Sequence, residues 1–559
     1  MKRYSTLFAP GVVLLTAVLT GGWFLQKGVS REKNVYYQVR LFEEVVDRVL
    51  DNFVDPVNRE DLYQSAIQGV LQDLGDPNTS FMPASDVDDF QIRMQGEYGG
   101  VGLEVIPRDG WVTVTTPLPG SPGTRAGIRA GDQILEVAGQ SMEGWPSDDV
   151  VDALRGEPGS EVLVKVRRPG VDVPIPFSIT RGLIQLRSVP FALEVADGIG
   201  YVPLQSVSET SFQEVREAVD SLWNEGVRQL ILDLRGNPGG ALDQGIAITD
   251  YFLDPGQGVV ETRGRAANQS EVYGASRVQP HPDIVVVAVV DERSASAAEI
   301  IAGALQDHDR ALVVGAPTFG KGSVQTLFPL PGGSILRLTT ARWYTPLGRS
   351  IHKDREDQIL ALERSALTMT GVFASLPDTV AKPVFETDGG RRILGGGGII
   401  PDVLVTADTL TLSEKRALRE LDRRGGRFLT AVFNFDVSSL QDHPDLTRSF
   451  ELRDGDRRAF QDRLDDEDIE LSPEAFSAAR RFIEFQLERE IALQAWGASG
   501  EFQRLLGEDR ALQRAISLLN EGKTTPALLG LASNPDYSDW TPVVKLDSEV
   551  GEASLEAGS

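Results

Sequence analysis

The sequence predicts an α/β protein with a small strand-rich insert and helical regions at both ends. From about residue 182 to 350, short β-branched runs alternate with amphipathic helices, a pattern typical of a parallel sheet. Between about residues 99 and 181, short strands and glycine-rich turns replace this pattern. Apolar residues recur at helical spacing before residue 95 and again after residue 405, which predicts the two helical regions.

Length and composition exclude several classes of protein. The chain has 559 residues, enough for about three to five domains. Its 55 Lys and Arg against 82 Asp and Glu give a formal net charge of −27, which argues against a nucleic-acid partner. It has no cysteine, so disulfides, thiolate metal sites and a cysteine nucleophile are excluded. The histidines do not have metal-ligand spacing, and we expect neither a metal site nor a cofactor. They are His281, His308, His352 and His443.

The N-terminal residues 1–30 have the features of an export signal. Lys2 and Arg3 precede an apolar run over residues 7–25, which is long for a signal-peptide core and close to a membrane span. No clear cleavage site follows, so we expect an uncleaved inner-membrane anchor; a cleaved signal peptide is the alternative. The basic residues predict a cytoplasmic N-terminus, which would place the rest of the chain in a bacterial periplasm.

The rest of the chain divides into regions by its patterns. We expect an N-terminal helical region over 31–98, a strand-rich domain over 99–181, an α/β core over 182–410 and a helical region with a loose tail over 411–559. The predicted helices are Val35–Phe53, Leu62–Leu74, Asp86–Met94, Ser211–Asn224, Ala241–Phe252, Ser296–Gln306, Pro473–Trp496 and Glu501–Leu519. The predicted core strands are Gly200–Leu204, Gln229–Leu234, Ile284–Val290 and Ala311–Gly315.

The strand-rich region has an ordered set of glycines and apolar residues. A glycine loop, Gly100-Val101-Gly102-Leu103, leads into a strand, and an A-G-I-x-x-G-D-x-I-L-x-V-x-G run follows over 126–139. Each glycine alone is also explained by a turn, but the ordered set resembles a PDZ domain. In such domains a peptide C-terminus adds a strand to a sheet edge, and backbone amides of the loop hold its carboxylate. The resemblance therefore implies a peptide-binding loop at Gly100, Val101, Gly102 and Leu103.

Residues 315–322 match most of the nucleotide-binding P-loop pattern, G-x-x-x-x-G-K-[ST]. Gly322 occupies the position at which a Ser or Thr would bind magnesium. The residues after it, Ser323–Tyr344, alternate around a Pro-Gly-Gly turn and predict a β-hairpin rather than a phosphate-binding helix. Nucleotide binding is therefore not expected, and Lys321 needs another explanation.

Ser296 lies between a buried strand and an apolar helix, and its position supports two interpretations. With Glu299 it forms a Ser-x-x-Glu capping box, which is a purely structural motif. A serine at a helix N-terminus also lies beside backbone amides that can stabilise an oxyanion. As no histidine stands out as a base, Lys321 in its glycine-bounded loop is the candidate partner.

These motifs together resemble the C-terminal processing peptidases, or tail-specific serine proteases. The resemblance rests on S-A-S-A-A-E-I-I-A-G-A-L-Q-D over 294–307, the spacing of Ser296, Lys321 and Gln325, and D-L-R-G-N-P-G-G over 233–240. It covers roughly residues 35–405, although the segment 353–390 is longer than the family pattern. It implies a crotonase/ClpP-like layered α/β protease core into which the PDZ domain is inserted.

The resemblance also implies a mechanism. Ser296 would attack the scissile carbonyl, neutral Lys321 would take its proton, and Gln325 would orient the amine. Amides of Ala297 and of Gly239 or Gly240 would form the oxyanion hole, the choice between the glycines staying open. Substrates would be exported polypeptides with accessible C-termini, and the helical ends could build a homo-oligomer or bind an adaptor. A non-enzymatic PDZ scaffold and a crotonase-like acyl-CoA enzyme are the alternatives.

Overall fold

The computed structural model describes residues 35–108, 110–375, 381–421, 426–443, 445–532 and 544–545. The chain forms two compact units, one comprising residues 1–84 and 326–339 and the other residues 85–325 and 340–559. The predicted anchor over residues 7–25 lies outside the described residues. Among those that are described, no helix is long and apolar enough to cross a membrane.

The first unit contains a pair of helices and a short strand. Helix α1 (Val35–Asn52) and helix α2 (Arg59–Gln72) confirm the two helices predicted before residue 75. Strand β1 (Ser80–Met82) pairs antiparallel with residues 335–337. Helix α1 buries only Val46, so most of its apolar side chains are exposed.

The strand-rich insert of the second unit follows helix α3 (Ala84–Gln95). Its elements are β2 (Glu97–Gly100), β3 (Leu103–Arg108), β4 (Trp111–Pro117), α4 (Pro122–Ala126), β5 (Gln133–Val137), β6 (Gln140–Ser141), α5 (Ser147–Leu154), β7 (Glu161–Arg167), β8 (Ile175–Thr180) and β9 (Gly182–Gln185). Strands β2 and β9 pair at its base, and the sheet runs β3-β4-β5-β7-β8, with β6 on β5. Strand β3 is therefore an edge strand, and helix α5 packs against it.

The α/β core follows the insert. Its elements are β10 (Leu193–Ala196), β11 (Ile199–Pro203), α6 (Ser211–Asn224), β12 (Gln229–Asp233), α7 (Leu242–Phe252), β13 (Gly258–Gly264), β14 (Glu271–Gly274), β15 (Val285–Val290), α8 (Ala297–Asp307), β16 (Ala311–Gly315), β17 (Ser323–Pro329), β18 (Ile335–Tyr344), α9 (Arg355–Glu363), β19 (Ser365–Leu367), β20 (Phe373–Ser375), β21 (Lys382–Glu386), β22 (Arg392–Leu394) and β23 (Val403–Leu404). Strands β17 and β18 pair, which confirms the predicted hairpin. A strand and not a helix therefore follows Lys321, as expected for a chain without a P-loop.

The C-terminal region is helical, as predicted, but it contributes to two separate cores. Its helices are α10 (Leu412–Leu421), α11 (Arg427–Asp442), α12 (Asp454–Asp466), α13 (Pro473–Leu505), α14 (Arg510–Glu521) and α15 (Thr525–Leu531). The first four enclose an apolar cluster of their own around Phe460. The predicted helix end at Trp496 is confirmed, because Gly497 (φ 69°, ψ −172°) interrupts the helical geometry within α13. The predicted helix Glu501–Leu519 is instead divided in two, since α13 ends at Leu505 and α14 starts where Asp509 caps it.

The central sheet has the order β10-β11-β12-β15-β16-β23, and every neighbouring pair except β10–β11 is parallel. Helices α6, α7 and α8 cover one face, and α14 and α15 cover the other. Because water reaches neither face, the central strands are continuous apolar runs, and all six residues of β15 are buried. This layering brings the carboxyl ends of β12, β15 and β16 to one edge, where ligands of open parallel sheets bind.

Candidate active site

Ser296 lies in a sharp turn between strand β15 and helix α8. Its backbone has φ 55° and ψ −116°, which residues other than glycine rarely adopt. The turn is held by its neighbours, since the Ala295 amide donates to the Asn237 carbonyl at 2.9 Å and Ser294 Oγ donates to the Leu234 carbonyl at 2.8 Å. A strained backbone conformation that is held by several neighbouring hydrogen bonds is typical of functional sites.

In the capping box predicted for Ser296 and Glu299, the Ser296 amide donates to Glu299 Oε2 at 2.8 Å. The Glu299 amide in turn donates to the Ser296 carbonyl at 2.9 Å. The positive φ of Ser296 departs from the extended conformation of an ordinary N-cap residue. Glu299 therefore binds the backbone at the start of the helix.

Glu299 also binds the loop that carries Lys321. The Lys321 amide donates to Oε2 at 2.9 Å, the same oxygen that accepts from Ser296. The Gly320 amide and Thr318 Oγ1 donate to Oε1 at 2.7 and 2.5 Å. Glu299 is 0% exposed, and burial raises the pKa of its carboxyl while these hydrogen bonds oppose the rise. One buried carboxyl group thus brings the Ser296 and Lys321 backbones together.

Lys321 and Gln325 lie on one segment after strand β16. Lys321 is half-buried, and its carbonyl accepts a hydrogen bond from Trp343 Nε1 at 3.0 Å. Gln325 is on β17, where its Nε2 donates to Ser323 Oγ at 2.9 Å. The backbone carrying the predicted base is therefore anchored on both sides, by Glu299 before it and by Trp343 after it.

Two of the predicted oxyanion residues, Gly239 and Ala297, lie beside Ser296. A Cβ on Gly239 (φ 85°) would lie 2.7 Å from Ser296 Cβ and 2.8 Å from the Ala297 nitrogen, so only glycine fits there. The Gly239 amide already donates to Asn237 Oδ1 at 2.8 Å. In the described structure, the Gly240 and Ala297 amides have no protein acceptor. The Gly239 amide is therefore engaged by the Asn237 side chain, and the Gly240 amide is not.

A cavity of about 870 Å³ opens beside these loops. The residues 291–293 before Ser296 and 315–317 before Lys321 form one wall, and parts of α9, α13 and α14 form the others. Burial, with a further contribution from neighbouring Asp291, raises the pKa of Glu292 in this wall to about 7. The cavity thus carries a carboxyl group that titrates near neutral pH.

The predicted peptide-binding loop lies apart from this site, in the insert. Gly100 ends β2, Val101 and Gly102 form the turn, and Leu103 begins the edge strand β3. The Val101 carbonyl accepts from the Gly123 amide at 2.8 Å, and the Gly102 carbonyl accepts from Ser121 Oγ at 2.9 Å. With its carbonyls engaged inside the domain, the loop leads directly to an unpaired strand edge, as peptide strand addition requires.

Comparisons with known proteins agree with this architecture. Residues 198–359 match the family model described as Peptidase family S41, and residues 113–168 match that of the PDZ domain. A carboxy-terminal-processing protease of Bartonella bacilliformis is 36% identical over 355 residues, covering 63% of this chain and 80% of the relative. The carboxy-terminal processing protease CtpA of Bacillus subtilis is 33% identical over 398 residues, covering 69% and 81%.

A solved structure of a photosystem II D1 C-terminal processing protease is 31% identical to this chain, covers 57% of it and 85% of its own length, and gives a TM-score of 0.34. The fold, the PDZ insert and the S41 match define a serine-type peptidase. Because the two relatives are 36% and 33% identical to the chain over about four fifths of their own length, the chain belongs to the carboxy-terminal processing proteases.

Replacing Glu299 with glutamine should lower both stability and activity. The side-chain amide keeps the shape but offers N–H groups to backbone N–H donors, so hydrogen bonds in a buried site are lost. We expect the free energy of unfolding to fall by about 2–3 kcal/mol, measured by urea denaturation. Glu217→Gln on the exposed face of α6 is the control. Equal stabilities for the two variants would contradict the role of Glu299.

Proposed function

We propose that this protease cleaves exported proteins by a Ser/Lys mechanism after recognising their C-terminal tails. The observation that carries the catalytic part is the shared hydrogen bonding of the Ser296 and Lys321 amides to Glu299 Oε2. Ser296 Oγ attacks the scissile carbonyl, and Lys321 in its neutral form accepts the proton and passes it to the leaving amine as the C–N bond breaks. Water then hydrolyses the ester on Ser296 and regenerates the hydroxyl. Gln325 orients the amine from strand β17.

The oxyanion that forms on the carbonyl is stabilised by the amides of Ala297 and Gly240. The Ala297 amide is the first of helix α8 and lies at the positive end of the helix dipole. The Gly240 amide comes from the turn after β12, which the Val207 amide holds through the Gly239 carbonyl at 3.1 Å. Loss of one such donor typically raises the barrier by about 2.7–4 kcal/mol.

The PDZ domain selects the substrate. A peptide pairs with the edge strand β3, and its terminal carboxylate is held by amides of the loop over Gly100–Leu103. Val101 is buried in the domain core, so the loop is rigid at its centre. This arrangement recognises a free carboxyl group, which an internal segment of a polypeptide does not have.

The N-terminal segment and helix α1 determine where the protein is and with what it associates. We place the protease in the periplasm, anchored to the inner membrane by residues 7–25, because Lys2 and Arg3 precede an apolar run of membrane length. Helix α1 exposes 41% of Phe42 and 53% of Val45, which makes it the surface for a second copy of this chain. An adaptor protein is the alternative partner for this surface.

Ser296→Ala and Lys321→Ala should each abolish turnover of a tail-bearing peptide, with kcat reduced by at least about 10³-fold. Binding of the same peptide should survive, because the PDZ groove is unchanged; fluorescence anisotropy measures it. The control Lys415→Ala changes a half-exposed lysine on α10 and should keep its kcat. Full activity in Lys321→Ala would refute the mechanism.

Tail recognition predicts that amidation of a substrate's C-terminus lowers kcat/KM by about tenfold, because it removes the charge that the loop amides bind. Gly102→Ala should abolish this preference, since a Cβ there would lie 2.5 Å from Ser121 Cβ. Gly139→Ala is matched to it, having a similar positive φ of 82° and no atom within 4 Å, and should keep the preference. Equal rates for free and amidated peptides would rule out tail recognition.

Fractionation and sizing of two chains test the anchor and the oligomer. The full chain should sediment with membranes, and a fragment starting at residue 31 should be released, because the apolar run is removed. The fragment should elute at the mass of an oligomer, and substitution of Phe42 and Val45 by serine should shift it toward the monomer. A soluble full chain would contradict the anchor, and a monomeric fragment would contradict the second copy.

A further inference from the structure

A chain of polar contacts connects the C-terminal helical region to the end of strand β12. Tyr201 OH donates to Asp233 Oδ2 at 2.9 Å, and Arg235 Nη2 donates to the same oxygen at 2.7 Å. Arg235 Nη1 in turn donates to Asp509 Oδ1 at 3.0 Å. Burial alone would lower the pKa of the Arg235 guanidinium, but the two aspartates raise it well above its usual range, so the group stays charged.

Arg235 begins the glycine turn that faces Ser296. The next residue, Gly236, donates its amide to Asp291 Oδ1 at 2.9 Å, and the same oxygen accepts from the Ser294 amide at 3.0 Å. The turn then continues through Asn237 to Gly239 and Gly240. A displacement of Arg235 is therefore transmitted to both the oxyanion turn and the loop that carries the nucleophile.

Asp509 is built into the fold independently of Arg235. Its Oδ1 also accepts a hydrogen bond from the Leu512 amide at 3.1 Å, and so caps helix α14. Helix α14 is fixed in turn on the central sheet through Leu512, Leu518 and Leu519, which are at most 1% exposed. The Asp509 carboxylate that pairs with Arg235 is therefore held by helix α14, which packs against the central sheet.

We propose that Asp509 is a positioning residue for the peptidase reaction, holding the oxyanion turn in register with Ser296 through Arg235. This inference rests on the proposed function, since it assigns the turn over 236–240 to the oxyanion hole. It gives the C-terminal helical region a part in catalysis, beyond covering the sheet. In this role Asp509 acts through the Arg235 guanidinium, with which its carboxylate pairs.

Asp509→Asn is the sharpest test, because asparagine caps a helix as well as aspartate, and the substitution removes only the negative charge that Asp509 presents to Arg235 while Asp233 stays in place. In the full-length protein we expect kcat for a tail-bearing peptide to fall about tenfold with KM unchanged, as small misplacements of catalytic groups produce. Asp509→Glu keeps the charge and should recover most of the lost kcat. The melting temperature of each variant is measured alongside.

Glu484→Gln is the matched control. The Arg457–Glu484 pair is 24% and 26% exposed, against 24% and 25% for Arg235–Asp509, but it lies within the separate helical cluster. Glu484→Gln should lower the melting temperature comparably and leave kcat unchanged. A parent-like kcat in Asp509→Asn, or equal kcat losses in Asp509→Asn and Glu484→Gln, would overturn the inference.

Ser296→Ala measured in the same assay separates the positioning role of Asp509 from the proposed peptidase mechanism. If Ser296→Ala is inactive and Asp509→Asn has the parental kcat, only the positioning role of Asp509 fails. If Ser296→Ala remains active, the proposed function itself fails. Loss in Asp509→Asn with recovery in Asp509→Glu supports both.

Discussion

The buried carboxyl group of Glu299 is the constraint on which the rest of the site depends. Its two oxygens accept hydrogen bonds from the amides of Ser296, Gly320 and Lys321 and from Thr318 Oγ1. A fully buried carboxylate is costly unless its lone pairs are satisfied, and here two separate loops satisfy it. The hydrogen bonds that stabilise the buried carboxylate therefore also hold the two loops in place relative to each other.

The layered core fixes the positions of the loops that follow the central strands. Strands β12, β15 and β16 are covered on both faces, so their carboxyl ends cannot shift without moving helices on either side. One of the two covering layers comes from α14 and α15, more than a hundred residues further along the chain. The C-terminal region is thus part of the peptidase core as well as a helical cluster of its own.

Sequence reasoning predicted the elements well because their signals are local. Periodicity and turn residues were enough to predict the apolar run of β15, the hairpin after Lys321 and the strand-rich insert. The contacts of Glu299 with Lys321 and of Asp509 with Arg235 were not predicted, because these partners lie 22 and 274 residues away. The Ser-x-x-Glu pattern predicted the contact between Ser296 and Glu299, but not the positive φ of Ser296. The hydrogen bond from the Gly239 amide to the Asn237 side chain was likewise not predicted, because no spacing rule describes it.

We propose that Ser296 is the nucleophile and that Lys321 activates it. Covalent labelling with a fluorophosphonate, followed by peptide mass mapping, tests this activation, because the reagent reacts with activated serine hydroxyls. We expect the label on Ser296, and we expect its formation to be strongly slowed in Lys321→Ala. A label on Ser294 instead, or an unchanged labelling rate in Lys321→Ala, would contradict it.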